Sequence, residues 1–164
     1  AVRPIPTSTG KVFPHHKTPI SPMLFLCEHL PLQTTAPIEI LDITDRVRKV
    51  FDQHRIQNGQ VTVCSAHTTA FIALNESEPM LQQDMLDFLT RLVPPDAPYR
   101  HNLNPVDGRL NAHSHLLGLF MNASETIPVV NGELLLGGWQ SIFFIELDGP
   151  RAERTLRVQI IGER

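Results

Sequence analysis

Apolar residues recur with two different periods along this chain, and the alternation between them predicts an α+β domain from Met23 onward. Met23–Leu30 and Ile38–Leu41 read as strands split by a turn over Pro31–Pro37. Val47, Val50, Phe51 and His54 then fall at i, i+3, i+4 and i+7, so a helix capped by Thr44 is expected to run to about Gln57. Asn58-Gly59 is expected to end it, because glycine readily takes the left-handed turn at a helix C-terminus. Gln60–Ala66 and Thr69–Asn75 are β-rich. Ser77-Glu78-Pro79 opens a second helix with Leu81, Asp84, Met85, Phe88 and Leu92 along one stripe, stopped by Pro94-Pro95. Residues 95–109 read as loop, and Asn111 can cap a short third helix to about Met121. Strands follow at Glu125–Val130, Glu133–Leu136, Trp139–Leu147 and Thr155–Ile161. Asn131-Gly132 between the first two is a strong hairpin signal.

Composition narrows this picture modestly. With 164 residues, 41% hydrophobic and 19% charged, the chain can bury one sizeable core. Residues 1–22 carry five prolines and no periodicity, so they are expected to form a flexible arm, leaving 23–164 as a single domain. A net charge of −3 argues against bulk nucleic-acid binding. No apolar run approaches the ~18 residues of a membrane span, and the first twenty residues lack the apolar core of a secretory signal. Cys27 and Cys64 sit in apolar runs and are expected to be buried free thiols. A cytoplasmic location is the expectation.

Candidate chemistry concentrates between His67 and His115, where four of the eight histidines lie with Glu76, Asp84 and amide side chains. Neutral imidazoles with a nearby carboxylate can hold a divalent metal and leave a position open. The spacing matches no compact zinc signature, so the fold would have to assemble any site. Each residue also has a plainer reading. His67 continues the alternation of Val61, Val63 and Ser65 and could be a satisfied core histidine; His101 lies in a polar loop; His54 reads as core or interface. His113 and His115 lie about 200° apart on a helix, so only one of them can easily face a pocket, and His115, one turn after Asn111, is the better placed. Asp84 shares the apolar stripe of its helix, which implies partial burial. Arg151, Arg154 and Arg157 read as solvated or salt-bridged, with one able to hold a phosphate. Phosphate-binding glycine loops and a serine nucleophile elbow are absent.

Taken in order, these residues carry a family signature. His67-Thr-Thr-Ala, Asn75-Glu76, Asp84, Tyr99-x-His101, Asn111 with His115, Ser124-x-x-Ile-Pro-Val129, Leu136-Gly-x-Trp-Gln140 and Glu146-x-Asp-Gly-Pro-Arg151 together resemble the YjbQ-like family, over about Met23 to Arg164. Two positions depart from its pattern: Gly138 stands where Thr is usual, and Ser114 where Ala is common. Members of the family are often labelled secondary thiamine-phosphate synthase. The resemblance implies layered, mostly antiparallel β-sheets with two or three helices, and a homotrimer with sites near subunit boundaries. It also implies His67, His101 and His115 as the metal or substrate histidines, the metal being divalent and zinc the first expectation.

Three kinds of function follow. A metal-dependent enzyme would use Glu76 or Glu146 as general base. Thr68, Asn75, Asn111, Trp139, Gln140 and Arg151 are the expected contacts to a small, phosphorylated substrate. A transferase joining a hydroxymethylpyrimidine diphosphate to a thiazole phosphate would need Mg²⁺ and a cationic clamp, with Arg151 the best candidate. A metal-dependent hydrolase uses the same parts, whereas a binding trimer would hold a ligand without turnover.

Overall fold

Two antiparallel sheets of unequal size face one another in the structure, a computed structural model that describes residues 22–164. The expected N-terminal arm lies outside the described residues except for Pro22. The strands are β1 (Leu24–Thr34), β2 (Glu39–Asp42), β3 (Asn58–Ser65), β4 (Ala70–Glu76), β5 (Ser124–Val130), β6 (Glu133–Leu134), β7 (Gln140–Glu146) and β8 (Arg151–Glu163). The helices are α1 (Thr44–Asp52), α2 (Pro79–Leu92) and α3 (Ala112–Leu117), with 3₁₀ turns at Arg100–Leu103 and Gly118–Phe120. The larger sheet is ordered β1-β8-β3-β5-β6 and the smaller β2-β7-β4. Every strand pairing is antiparallel, as the α+β reading requires.

The main core fills the space between the sheets and under α1. Leu30, Val61, Val63, Ile127, Leu156, Val158 and Ile160 come from the larger sheet, Ile72, Ile142 and Phe144 from the smaller, and Val47 and Phe51 from the helix. A second, smaller cluster of Phe71, Leu89, Leu117 and Leu147 lies where α2 and α3 meet the smaller sheet. Inward residues alternate along the central strands because strand side chains point to opposite faces in turn. The Asn131-Gly132 turn forms as expected, with φ of 52° and 80°. Both residues of such a hairpin turn need positive φ, which glycine and asparagine tolerate best.

Several local expectations give way to tertiary context. Pro31 does not break the first strand; β1 runs through it to Thr34. The strand lies at the sheet's edge, and Pro31 sits opposite Thr155, whose N–H points away to His67. That makes Pro31 a non-hydrogen-bonded ladder position, where a missing N–H costs nothing. Helix α1 stops at Asp52, short of Gln57, and the chain turns through Arg55 at φ 54°. Asn58-Gly59 opens β3 instead of closing the helix: a Cβ at Gly59 would lie 2.1 Å from the Ile161 carbonyl, so the glycine permits close strand approach.

Helix α2 begins as expected, with Pro79 in its first turn and the Glu78 carboxylate accepting from the N–H groups of Met80 and Leu81. Its apolar stripe is only partly covered among the described residues, with Leu81 and Met85 half-buried. Only Leu89 is buried, Phe88 and Leu92 are exposed, and Asp84 is exposed rather than partly buried. Cys27 is also exposed, contrary to expectation, because outward positions of an edge strand face solvent on one side of the sheet. Among the described residues no helix is long and apolar enough to cross a membrane.

Candidate functional site

A polar cavity of about 270 Å³ opens at one end of the sheets, lined by the turn between β3 and β4, the start of β8 and α3. His67, Thr68, Asn111, His115 and Arg151 line it, together with Asp107, Asp148 and Arg154. A neighbouring, more apolar hollow is lined by Tyr99, His101, Ala112, His115 and Leu116. His115 therefore stands on the ridge between the two. His113, two residues earlier on α3, is buried beneath it.

The floor of the cavity is a buried ion pair. Arg154 shares strand parity with Leu156, Val158 and Ile160, which turns its guanidinium inward under the cavity. It binds both oxygens of Glu146, Nε to Oε2 at 2.7 Å and Nη2 to Oε1 at 2.6 Å. Nη2 also donates to Thr69 Oγ1 at 3.0 Å. Nη1 makes no hydrogen bond among the described residues and is not sealed off, which leaves it for the cavity. Glu146 is fully enclosed and further accepts from the Asp148 N–H at 2.9 Å and the Thr34 hydroxyl at 3.2 Å. Burial alone would raise its carboxyl, but these donors outweigh burial and hold it below the usual range. Every lone pair that a general base would use is engaged by the fold.

One wall is a relay centred on Asp148. Its carboxylate accepts from Arg109 Nε at 3.0 and 3.1 Å, from Asn111 Nδ2 at 2.9 Å, and from Arg151 Nη2. Burial again pulls upward, and Asn111, Arg109 and Arg151 pull the Asp148 carboxyl further down. Because Asn111 gives its NH₂ to Asp148, its Oδ1 faces His101 Nε2 at 3.1 Å. An amide oxygen only accepts, so His101 carries its proton on Nε2 and keeps a free lone pair on Nδ1. Asn111 stands at the N-cap of α3, but its side chain does not cap the helix; Asn102 Oδ1 accepts from the Ala112 N–H instead.

His101 and His115 meet edge to face, with ring centroids 5.2 Å apart and planes at 79°. Two imidazoles sharing a tetrahedral ion at metal–nitrogen lengths near 2.1 Å have centroids about 5–5.5 Å apart, a separation this edge-to-face pair shares. His67 lies across the cavity, and its Nε2 accepts the Thr155 N–H at 3.1 Å. Burial lowers its pKa first, and the Arg154 charge adds to this, so the ring stays neutral near neutrality. No set of three His, Cys, Asp or Glu side chains placed to hold an ion occurs among the described residues.

The structure separates the remaining candidates from the histidines. Ala70 pairs with Glu146 at one end of β4, and Glu76 pairs with Gln140 at the other. Seven residues of strand place the two ends roughly 20 Å apart. Asn75, Glu76, Trp139 and Gln140 thus form a distant group, with Trp139 79% exposed. No bend at Asn75 returns Glu76 to the cavity, because β4 continues regularly through it.

Sequence reasoning missed Asp107, Arg109 and Asp148, and of its two readings of Arg154, solvated or salt-bridged, the salt bridge holds, though buried. Parity with Leu156, Val158 and Ile160 was the available signal for Arg154. The two unusual positions differ in weight. Ser114 is fully buried and donates its hydroxyl to the Leu147 carbonyl, tying α3 to the end of β7. A Cβ at Gly138 would meet nothing within 4 Å, so the substitution there lies in open space.

Comparison with known proteins supplies the lineage. A family described as "UPF0047 protein YjbQ-like" matches residues 28–163. A UPF0047 protein of Methanothermobacter thermautotrophicus is 45% identical over 136 residues, covering 83% of this chain and 92% of its own length. One from Archaeoglobus fulgidus is 39% identical over 127 residues, covering 77% of this chain and 95% of its own. Among solved structures, a YbjQ-like protein of unknown function from Sulfolobus solfataricus P2 superposes with a TM-score of 0.81 at 38% identity, covering 86% of this chain and 99% of its own. A hypothetical protein from Aeropyrum pernix K1 gives 0.79 at 40% identity, with 84% and 99% covered. With its fold and nearly its whole described length matched, the chain belongs to the UPF0047, YjbQ-like family.

Proposed function

We propose that the protein is a divalent-metal-dependent enzyme acting on a small phosphorylated molecule bound in the polar cavity. The observation that carries this reading is the His101–His115 pair, edge to face at 5.2 Å beside donors fit for an oxyanion. Zinc is the first choice for two neutral imidazoles, with nickel, copper and iron as competitors. A bound divalent ion supplies Lewis acidity toward a phosphoryl or leaving-group oxygen. The chain's own residues do the rest. Asp148, fixed by Arg109 and Arg151, holds Asn111, and Asn111 holds the His101 proton on Nε2. Arg154 Nη1 and the Thr68 hydroxyl, both on the cavity lining, would take anionic oxygens. Glu146 neutralises and orients Arg154 from beneath, a positioning role in place of that of a general base.

Thiamine-phosphate synthesis is the candidate reaction, since its diphosphate substrate needs such donors. Arg151 is the weaker half of a clamp, because Asp148 engages its Nε and Nη2 sides. Assembly as a homotrimer belongs to the same reading, supported by the exposed Leu103, Leu116, Leu119 and Phe120 beside the histidines. The experiment is metal analysis of untagged protein, followed by assay of the zinc-loaded form with the hydroxymethylpyrimidine diphosphate and thiazole phosphate. Pyrophosphate release that depends on zinc and is lost in His101→Ala and His115→Ala is the expected result. Phosphate release from simple phosphomonoesters would make the protein a hydrolase instead. Failure of the untagged protein to retain any divalent ion rejects the proposal.

A further inference from the structure

His67 in the polar cavity and His101 in the adjoining hollow are not equivalent, and the difference lies in where each keeps its proton. Strand β3 ends at Ser65, which pairs with Leu156, so the next N–H along β8, that of Thr155, has no strand partner on that side. His67 Nε2 takes its place as acceptor at 3.1 Å. A ring turned over would put a carbon against this N–H and leave a sheet donor unpaired, which proteins avoid. A neutral imidazole holds one proton. With the Nε2 lone pair committed to Thr155, that proton sits on Nδ1. Nδ1 makes no hydrogen bond among the described residues and is not among the enclosed atoms, and the ring lines the cavity. His101 is the opposite case: Nε2–H is given to Asn111, and the free lone pair is on Nδ1.

We infer that His67 is not a metal ligand but an oxyanion-binding residue, offering Nδ1–H to an anionic oxygen of the substrate beside Thr68 and Arg154. A ligand histidine needs a free lone pair, and in this arrangement His67 has none to give. Its neighbours in the cavity wall fit an anion equally well: the Thr68 hydroxyl and Arg154 Nη1 are donors. The shared chemistry is a phosphate or carboxylate oxygen. This rests on the cavity being the substrate site, but not on a metal being present.

The test uses full-length, untagged, ¹⁵N-labelled protein, metal-free and zinc-loaded, with long-range ¹H–¹⁵N spectra of the imidazoles. The expected result is an Nδ1–H tautomer for His67 and an Nε2–H tautomer for His101 in both forms. Zinc should shift the nitrogens of His101 and His115 and leave those of His67 nearly unmoved. Inorganic phosphate should shift His67; a parallel titration with acetate tells whether a carboxylate serves as well. His67→Gln keeps an acceptor for Thr155 and a donor for the anion, so it should bind phosphate within about threefold of wild type, whereas His67→Ala should lose about tenfold. Both variants should retain wild-type zinc stoichiometry, where a lost ligand would abolish it. An Nε2–H tautomer, a zinc-induced shift as large as that of His101, zinc loss in both variants, or silence toward both anions would overturn the inference. If zinc moves no imidazole while His67 still answers phosphate, the inference stands and the metal reading fails.

Discussion

Arg154 and Glu146 show how a single buried contact sets both the shape and the pH behaviour of the site. Removing one partner of an enclosed ion pair leaves the other charged and unpaired, at a cost of about 3–5 kcal/mol. Glu146→Gln should therefore lower the melting temperature by roughly 6–20 °C for a chain of this size. Denaturant unfolding that found this variant within 1 kcal/mol of wild type would return Glu146 to candidacy as a base. The acid response follows from the same contacts. Glu146 and Asp148 are held below their ordinary values of 4.5 and 3.8, so the unfolded chain takes up protons first as pH falls. Their contribution is whole above pH 4.5 and drains away beneath it. Burial depresses His67 and His113 as well, which adds a shallower loss beginning below 6.5. Melts taken from neutrality downward should show both stages, with the steeper one blunted in Glu146→Gln. Asn111 acts on proton position rather than charge. Asn111→Ala should weaken zinc binding about 10–100-fold, as loss of an orienting partner does, and a titration showing unchanged affinity would disprove the relay.

At the scale of elements, turns and edges decide more than propensity. The Asn131-Gly132 hairpin needs φ of 80° at its second residue, and the space around that Cβ is ordinary, with Gln57 at 3.4 Å. Gly132→Ala should thus cost only the left-handed backbone penalty, about 1–2 kcal/mol, visible as a melting shift of roughly 2–8 °C. A shift near zero would mean that the turn relaxes to another type. Gly118 is a different case, because its Cβ would fall 2.3 Å from the Phe71 ring, and alanine there should disturb the small core beneath α3 as well. Pro31 demonstrates the edge rule from the other side. A proline that reads as a breaker in sequence is harmless where the opposing N–H is turned toward His67.

At the scale of the whole molecule, the described residues leave several large apolar side chains exposed. Met80, Phe88, Leu92, Leu103, Leu119 and Phe120 are all largely exposed, the first three on α2, which buries Leu89 alone, and the others on the 3₁₀ turns. Single exposed apolar residues are ordinary, whereas contiguous apolar patches are where subunits associate, and the proposed trimer would use such residues. Light scattering at micromolar concentration should give three times the chain mass, and Phe120→Glu should reduce it. A wild-type monomer under those conditions would reject the trimer. An assembly would also offer the distant group of Trp139, Gln140, Asn75 and Glu76 a partner that one chain does not supply.

Much of this protein was legible before any coordinates. Period-two runs such as Val61–Val63 and Ile142–Phe144, the Glu78-Pro79 helix start and the Asn131-Gly132 turn are local, because backbone sterics and side-chain alternation fix them residue by residue. The concentration of His67, His101, Asn111 and His115 was legible as well, since their residue types announce polar chemistry. What they do to one another was not. Whether Pro31 breaks a strand, whether the α2 stripe is covered, and whether Glu76 reaches a histidine depend on which elements lie alongside. The proton positions of His67 and His101 lie furthest from sequence. Each is set by a partner, Thr155 or Asn111, that only folding brings within hydrogen-bond reach.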